Sequence, residues 1–503
     1  MLNNKQNRII SVGMGFLILC ACGLFQPMFS NEIPGGDAFI EQTATSSSTS
    51  EKSSTPTKMD SDFRIPTSGA IEETIIPTGH SHIENPQIGL NFIRLFWSER
   101  RGGQTDTRTP YFQPEWIFAD FEELGIQVYR QFVRADLLWN IVEPANDEWD
   151  FKAADKVLFL GASPEPIATL FAMQYASPTP PWVKDSAQFQ KTIGPEAEDY
   201  LKTVVQRYAS VVRFWEIGNE MNHWRAADSN ELNLKGAKPP PLVPPGGFSP
   251  QEQGIFFAQA ATLIHHYDPD AVIVMPGMGG LDEYVLNVWL PGVIEGSDTE
   301  WFDVVNYHFY GSWERYGRLR EGLLDAVNRL GIEDKPIWLT ETGVTANPEN
   351  TVRTNYPNTP EAQAADIFRR IVPAYGHGDA LVIWHTYISS PVTDDNSWGL
   401  YGIRTDAAEE LPSYYAMQLL IDELIPFERV ETLSNDLKGL NCYRITTHAG
   451  EVRYVVWGRG IYVIPDGVRE YTSVVPATDG EFSWQSVQVG ASLPVSEIPI
   501  LLH

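Results

Sequence analysis

The chain has 503 residues, with 65 Asp or Glu against 36 Lys or Arg and a formal net charge of -29. The acidic residues are spread along the chain rather than gathered in one block, which argues against nucleic acid or an anionic polysaccharide as the main partner and favours a neutral one. This length can bury a large core, with room for one big domain and a smaller one.

Residues 1–30 carry Lys5 and Arg8, then an apolar run from Ile9 to Leu24, then small and polar residues. This is the pattern of a secretory signal peptide, with retention of the run as a membrane anchor as the alternative. Leu19-Cys20-Ala21-Cys22-Gly23 resembles a bacterial lipoprotein cleavage box with Cys22 as the lipidated residue, apart from the Cys at its second position. The expectation is a secreted or cell-surface-anchored lipoprotein or exported protein that meets membrane only through this segment. Residues 31–60, rich in Ser and Thr, have too little apolar content to fold and read as a disordered tether. Beyond Cys20 and Cys22 only Cys442 remains, so neither an intramolecular disulfide nor a thiolate metal cluster is expected, and Cys442 itself reads as a core residue.

Residues 61–87 form a lead-in that could add strands to a C-terminal β domain. From 88 to 425, short apolar runs alternate with amphipathic stretches, the pattern of a parallel sheet with helical crossovers. Strands are expected at Ile88–Trp97, Val128–Arg134, Pro166–Gln174, Val211–Gly218, Ala271–Met275, Phe302–His308, Pro336–Thr340 and Ala380–Trp384. Helices are expected at 114–124, 151–160, 197–209, 250–267, 282–294, 319–330, 360–374 and 412–424. Ser249-Pro250 and Thr359-Pro360 supply helix starts, with a hydroxyl for the free amides and Pro in the first turn. Eight strands and eight helices imply a closed (β/α)8 TIM barrel, with an open doubly wound sheet as the lesser alternative. After Leu424, short alternating segments broken by Asp466-Gly467 and Asp479-Gly480 read as a small all-β domain over 426–503.

Two carboxylates stand at expected strand ends: Glu220 closes Val211-Val-Arg-Phe-Trp-Glu-Ile-Gly-Asn-Glu220, and Glu341 closes Pro336-Ile-Trp-Leu-Thr-Glu341. The carboxyl ends of barrel strands are where chemistry is done. The two are 121 residues apart, as three βα units of about 40 residues would place strands four and seven. The period of two puts Glu216 on the same face as Glu220 but deeper, where it reads as a structural carboxylate paired with an Arg. Trp97, Trp139, Trp182, Trp224, Trp313, Trp384 and Trp398 all fall at or just past expected strand ends and suggest an aromatic ring about the catalytic face. Two segments, 226–247 with its Pro-rich run and 390–402 with Trp398, would wall the cleft.

Asn219-Glu220 and Glu341 resemble the acid/base and nucleophile positions of glycoside hydrolase clan A, and Trp215-Glu-Ile-Gly-Asn-Glu-Met-Asn-His-Trp224 is similar to family 39-like members. The resemblance covers roughly residues 88–425. It implies a retaining O-glycosyl hydrolase (a glycosidase of carbohydrate metabolism) acting on β-linked neutral glycans, with Glu220 as acid/base and Glu341 as nucleophile. It further implies that Asn219 binds the substrate 2-hydroxyl, that Arg134 with His308 and Tyr310 holds the nucleophile, and that Trp384 stacks on the sugar. Arg130 competes with Arg134 on the same strand alternation, and Arg134 is favoured because it lies nearer the mouth and precedes Trp139, a further substrate contact. Neither a catalytic metal nor another cofactor is expected, since no His-rich ligand set or Gly-rich phosphate loop accompanies the strands. Rival readings are a surface carbohydrate-binding protein that has lost catalysis and a transglycosylase on the same barrel.

Overall fold

The computed structural model describes residues 85–91, 114–131, 137–159, 164–171, 180, 182–183, 193–223, 249–297, 301–348, 358–389, 401–405, 407–433 and 439–503. The targeting segment with Cys22, the tether, residues 61–84 of the lead-in, and Arg134, Trp97, Trp224 and Trp398 lie outside the described residues, as do 226–247 and most of 390–402. Pro77–His503 forms one compact unit. Among the described residues no helix is long and apolar enough to cross a membrane.

In chain order the elements are β1 (Ile88–Asn91), α1 (Pro114–Leu124), β2 (Val128–Gln131), a short α2 (Trp139–Val142), α3 (Lys152–Leu158), β3 (Glu165–Leu170), α4 (Pro195–Tyr208), β4 (Phe214–Ile217), α5 (Pro250–Tyr267), β5 (Val272–Val274), β6 (Met278–Gly279), α6 (Leu290–Ser297), β7 (Val305–Phe309), α7 (Tyr316–Leu330), β8 (Ile337–Thr342), α8 (Pro360–Gly376), β9 (Leu381–Trp384) and α9 (Pro412–Leu424). The strands are hydrogen-bonded in the order β5-β4-β3-β2-β1-β9-β8-β7-β6, and every neighbouring pair is parallel. β5 and β6 are one barrel strand interrupted at Met275-Pro276-Gly277, because Pro276 has no N–H to donate to a ladder. The first half pairs with β4 and the second with β7, so eight strands close a (β/α)8 barrel. Ser249 caps α5 in a reciprocal pair with Glu252, and the Thr359 hydroxyl accepts from the Ala362 amide at 3.1 Å.

The inside of the barrel is layered by the two-residue period of its strands. Val128, Ile167, Phe214, Val274, Val304, Trp338, Leu381 and Ile383 form a closed apolar cluster. Two residues further along five of these segments stand Arg130, Thr169, Glu216, Asn306 and Thr340, all buried. Tyr129, between the two inward positions of β2, instead packs edge-on against Phe118 of α1 at a centroid distance of 5.0 Å.

After α9 the chain turns to antiparallel strands: β10 (Phe427–Thr432), β11 (Leu440–Thr447), β12 (Val452–Gly458), β13 (Gly460–Val463), β14 (Glu470–Ser473), β15 (Gln485–Ser486), β16 (Ser492–Val495) and β17 (Ile500–Leu502). Six of them form a sheet in the order β10-β11-β12-β17-β14-β15, and β13 pairs with β16. Cys442 is buried among them, and burial pushes its thiol up to about 11. The sheet is tied to the barrel helices by Arg453 on Glu423 at 2.8 Å and by Trp457 against Trp313. The Gln87 side chain bonds both the N–H and the carbonyl of Phe427, joining the start of β1 to β10.

Candidate active site

The polar layer is organised around Arg130. Its Nε and Nη2 donate to the two oxygens of Glu216 at 2.7 and 2.9 Å, Nη1 donates to Glu341 Oε1 at 2.8 Å, and Nη2 also reaches Asn219 Oδ1 at 2.6 Å. Glu216 accepts further bonds from Thr169, Asn306 and the Gly277 amide. Buried charges survive by such pairing, and Glu216 is the anchor that aims the guanidinium at Glu341. Arg130 thus contacts Glu341 directly, one inward position above Val128 and level with Glu216, while Arg134, the expected partner, lies outside the described residues.

Glu341 is brought inward by an irregularity in β8. Tyr307 pairs with Leu339 and His308 with Glu341, so Thr340 is an extra residue against β7; against β9 the pairing likewise slips between Leu339 and Thr342. Such a bulge re-aims the side chain that follows. Thr340 and Glu341 both face the barrel interior as a result, where strict alternation would have sent one of them outward. Tyr310 donates its hydroxyl to Glu341 Oε2 at 2.6 Å and is itself packed edge-on against His385 and Tyr401. Burial pushes the Glu341 carboxyl above the ordinary range, opposed by the Arg130 guanidinium and by the Tyr310 hydrogen bond.

Glu220 arrives differently. Gly218 has φ 95° and Glu220 φ 49°, so the chain past β4 curls through left-handed conformations, and alternation no longer applies. A side chain at Gly218 would also strike Met221, 2.8 Å from where its Cβ would stand. Consequently Asn219 and Glu220 both reach the site: Asn219 takes Arg130 on its Oδ1, and the Glu220 amide donates to the Gly277 carbonyl at 2.9 Å. Asn219 Nδ2 is buried and has no hydrogen-bond partner among the described residues. His308 Nδ1 lies 2.9 Å from Glu220 Oε1 and 3.7 Å from Glu341 Oε2. One atom each from Glu220, His308 and Glu341 fall within 4.8 Å of one another.

The aromatic expectations fare differently. Trp384 is wholly buried with its indole N–H on the Tyr401 carbonyl at 3.3 Å, and Trp139 is buried with its N–H on Glu143 at 2.6 Å and its ring stacked on Tyr200. Neither indole is exposed to solvent among the described residues. Trp182 is half-buried against Trp139, and Trp313 is half-buried against Trp457 of the β sheet. The sequence reading passed over Asn306, Thr340 and Gly277; Asn306 was within reach, since it precedes His308 by two positions on one strand face.

Residues 133–236, which include the Asn219-Glu220 pair, match the family model for glycosyl hydrolase family 10. A family 39 glycoside hydrolase from the gut symbiont Bacteroides cellulosilyticus WH2 superposes with a TM-score of 0.56 at 16% identity, over 83% of this chain and 81% of that one. A glucosidase from Croceicoccus marinus gives 0.52 at 13% identity over 84% and 96%, and a monomeric β-xylosidase from Caulobacter crescentus CB15 gives 0.52 at 14% over 83% and 96%. The chain is similar to the glycoside hydrolases of clan A. At these identities the structural likeness carries the fold, while the family match and the site together mark an O-glycosyl hydrolase.

Proposed function

We propose that the protein is a retaining glycosidase that cleaves β-linked neutral glycans or oligosaccharides in two displacements. The observation that carries this is the close approach of Glu220 and Glu341 about His308, with one oxygen of each carboxylate and one ring nitrogen within 4.8 Å of one another. Retaining glycosidases hold their two carboxyl groups about 5–5.5 Å apart, whereas inverting ones leave about 6.5–9.5 Å for a water.

In this reading Glu341 attacks the anomeric carbon while Glu220 gives its proton to the departing glycosidic oxygen, so the C–O bond to the leaving group breaks as the glycosyl ester forms. Water then attacks the same carbon, loses a proton to Glu220 and releases Glu341. Arg130 and Tyr310 orient the nucleophile, with one donor on each of its oxygens. Asn219 Nδ2 is the donor available to a substrate hydroxyl beside the nucleophile. The β-linked class is supported by the β-xylosidase among the solved structures of the same fold. Export, or anchoring at Cys22, belongs to the proposal on the pattern of residues 1–30, and fractionation of cells making the full chain beside Cys22→Ala tests it.

Residues 77–503 assayed on a panel of aryl β-glycosides and neutral β-glycans test the reaction. Glu341→Ala is expected to abolish turnover, and Glu220→Ala to regain it with azide as a β-configured glycosyl azide. An α-configured first product would replace the retaining mechanism by an inverting one. Saturable glycan binding with no turnover of any substrate would favour a binding protein instead.

A further inference from the structure

Behind His308 runs a chain of hydrogen bonds whose directions are determined by what each atom can donate. Asn306 Nδ2 lies 2.8 Å from Glu216 Oε1 and 3.1 Å from the Met275 carbonyl. Both partners only accept, so the amide nitrogen faces them and the amide oxygen faces Thr340 Oγ1, 2.6 Å away. The single hydroxyl hydrogen of Thr340 is used in that bond. Thr340 Oγ1 therefore meets His308 Nε2, at 3.2 Å, as an acceptor, and Nε2 must carry a proton. The ring has little freedom to escape this arrangement: a Cβ on Gly277 would stand 2.1 Å from His308 Nε2, so the imidazole occupies the space that the missing side chain leaves.

We infer that Asn306 and Thr340 are positioning residues that lock His308 as its Nε2–H tautomer, so that its Nδ1 lone pair accepts a hydrogen bond from protonated Glu220 and keeps that residue an acid. The inference rests on the acid/base role proposed for Glu220. Among the described residues, the charged or titratable groups about the pair include Glu341, 3.7 Å from Nδ1, and Arg130 and Tyr310, which both bond Glu341. The carboxylate of Glu341 also favours a protonated Glu220 until the glycosyl ester forms. Once Glu220 has given its proton to the leaving oxygen, its carboxylate faces a lone pair. Taking a proton from the incoming water relieves that repulsion, so the same tautomer favours Glu220 as the base of the second displacement.

The test is nitrogen NMR of the full chain with labelled histidine, the His308 signals being assigned with His308→Gln. A neutral ring protonated at Nε2 across the pH range of activity is expected; an Nδ1–H tautomer or a doubly protonated ring in that range overturns the proposal. Thr340→Val removes the acceptor and lets the ring carry its proton on Nδ1, where it favours ionised Glu220, so the alkaline limb of kcat/KM is expected to fall by about one pH unit with KM little changed. Thr340→Ser keeps the oxygen and is expected to keep the limb. Equal limbs in the Val and Ser variants sink the proposal, and the spectra of the unmutated protein decide it should either variant fail to fold. Because the spectra need no turnover, a protein that cleaves no glycoside would overturn the glycosidase reading independently of the tautomer.

Discussion

The ends of β4 and β8 each deliver a glutamate to the same place by different means. Past β4, two left-handed residues turn the chain so that Asn219 and Glu220 both face the site, and Glu220 stays 16% exposed beside a histidine. In β8 an extra residue in the ladder rotates Glu341 inward, where it is 3% exposed between Arg130 and Tyr310. On the proposed roles, the group that exchanges protons with leaving group and water keeps an opening, and the group that attacks one atom from a set direction is gripped on both oxygens. That contrast fits the donors placed on both oxygens of Glu341 and the His308 contact made by Glu220.

Removing the grip should have the largest effect. Arg130→Leu leaves Glu216 and Glu341 buried without their cation, and a loss of about 3–5 kcal/mol in urea unfolding is expected together with loss of turnover. Glu220→Gln, which leaves this pair intact, should unfold close to the unmutated protein; equal losses in both variants would erase the distinction between the two strand ends. Gly277→Ala drives a methyl into His308, and a loss of about 1–3 kcal/mol is expected from overpacking, with a fall in kcat. Unchanged kcat there would mean that the position of His308 does not matter to Glu220. Tyr310→Phe is the finest probe. The Tyr310 hydroxyl favours the carboxylate form of Glu341, so its loss raises a pKa that burial has already raised; since the proposed nucleophile attacks as its carboxylate, the acid limb of kcat/KM should move up by about one pH unit. A limb that stays in place would detach Tyr310 from the nucleophile.

Much of this site was legible in the chain. Alternating strand and helix patterns over residues 88–425 gave the barrel, and the two glutamates stood at strand ends because a run of β-branched and aromatic residues followed by a carboxylate is a buried strand reaching the mouth. Glu216 was readable as a paired structural carboxylate from the same period of two. That Arg130 reaches Glu341 was not readable, since Arg134 sits on the same alternation. Nor was the fate of the tryptophans: Trp139 and Trp384 look like platforms from their positions at strand ends, yet burial depends on which helices and loops close over them.

The sequence by itself determined the parallel barrel, the β-rich C-terminal sheet, the caps of α5 and α8, and the presence of two carboxylates at the catalytic face, because these follow from local periodicity and residue chemistry. Only the tertiary structure decided that Arg130 bonds Glu341, how the slip in β8 turns that residue inward, and that Thr340 meets His308. Those outcomes depend on register between strands distant in sequence, where one residue more or less reverses the face on which a side chain stands.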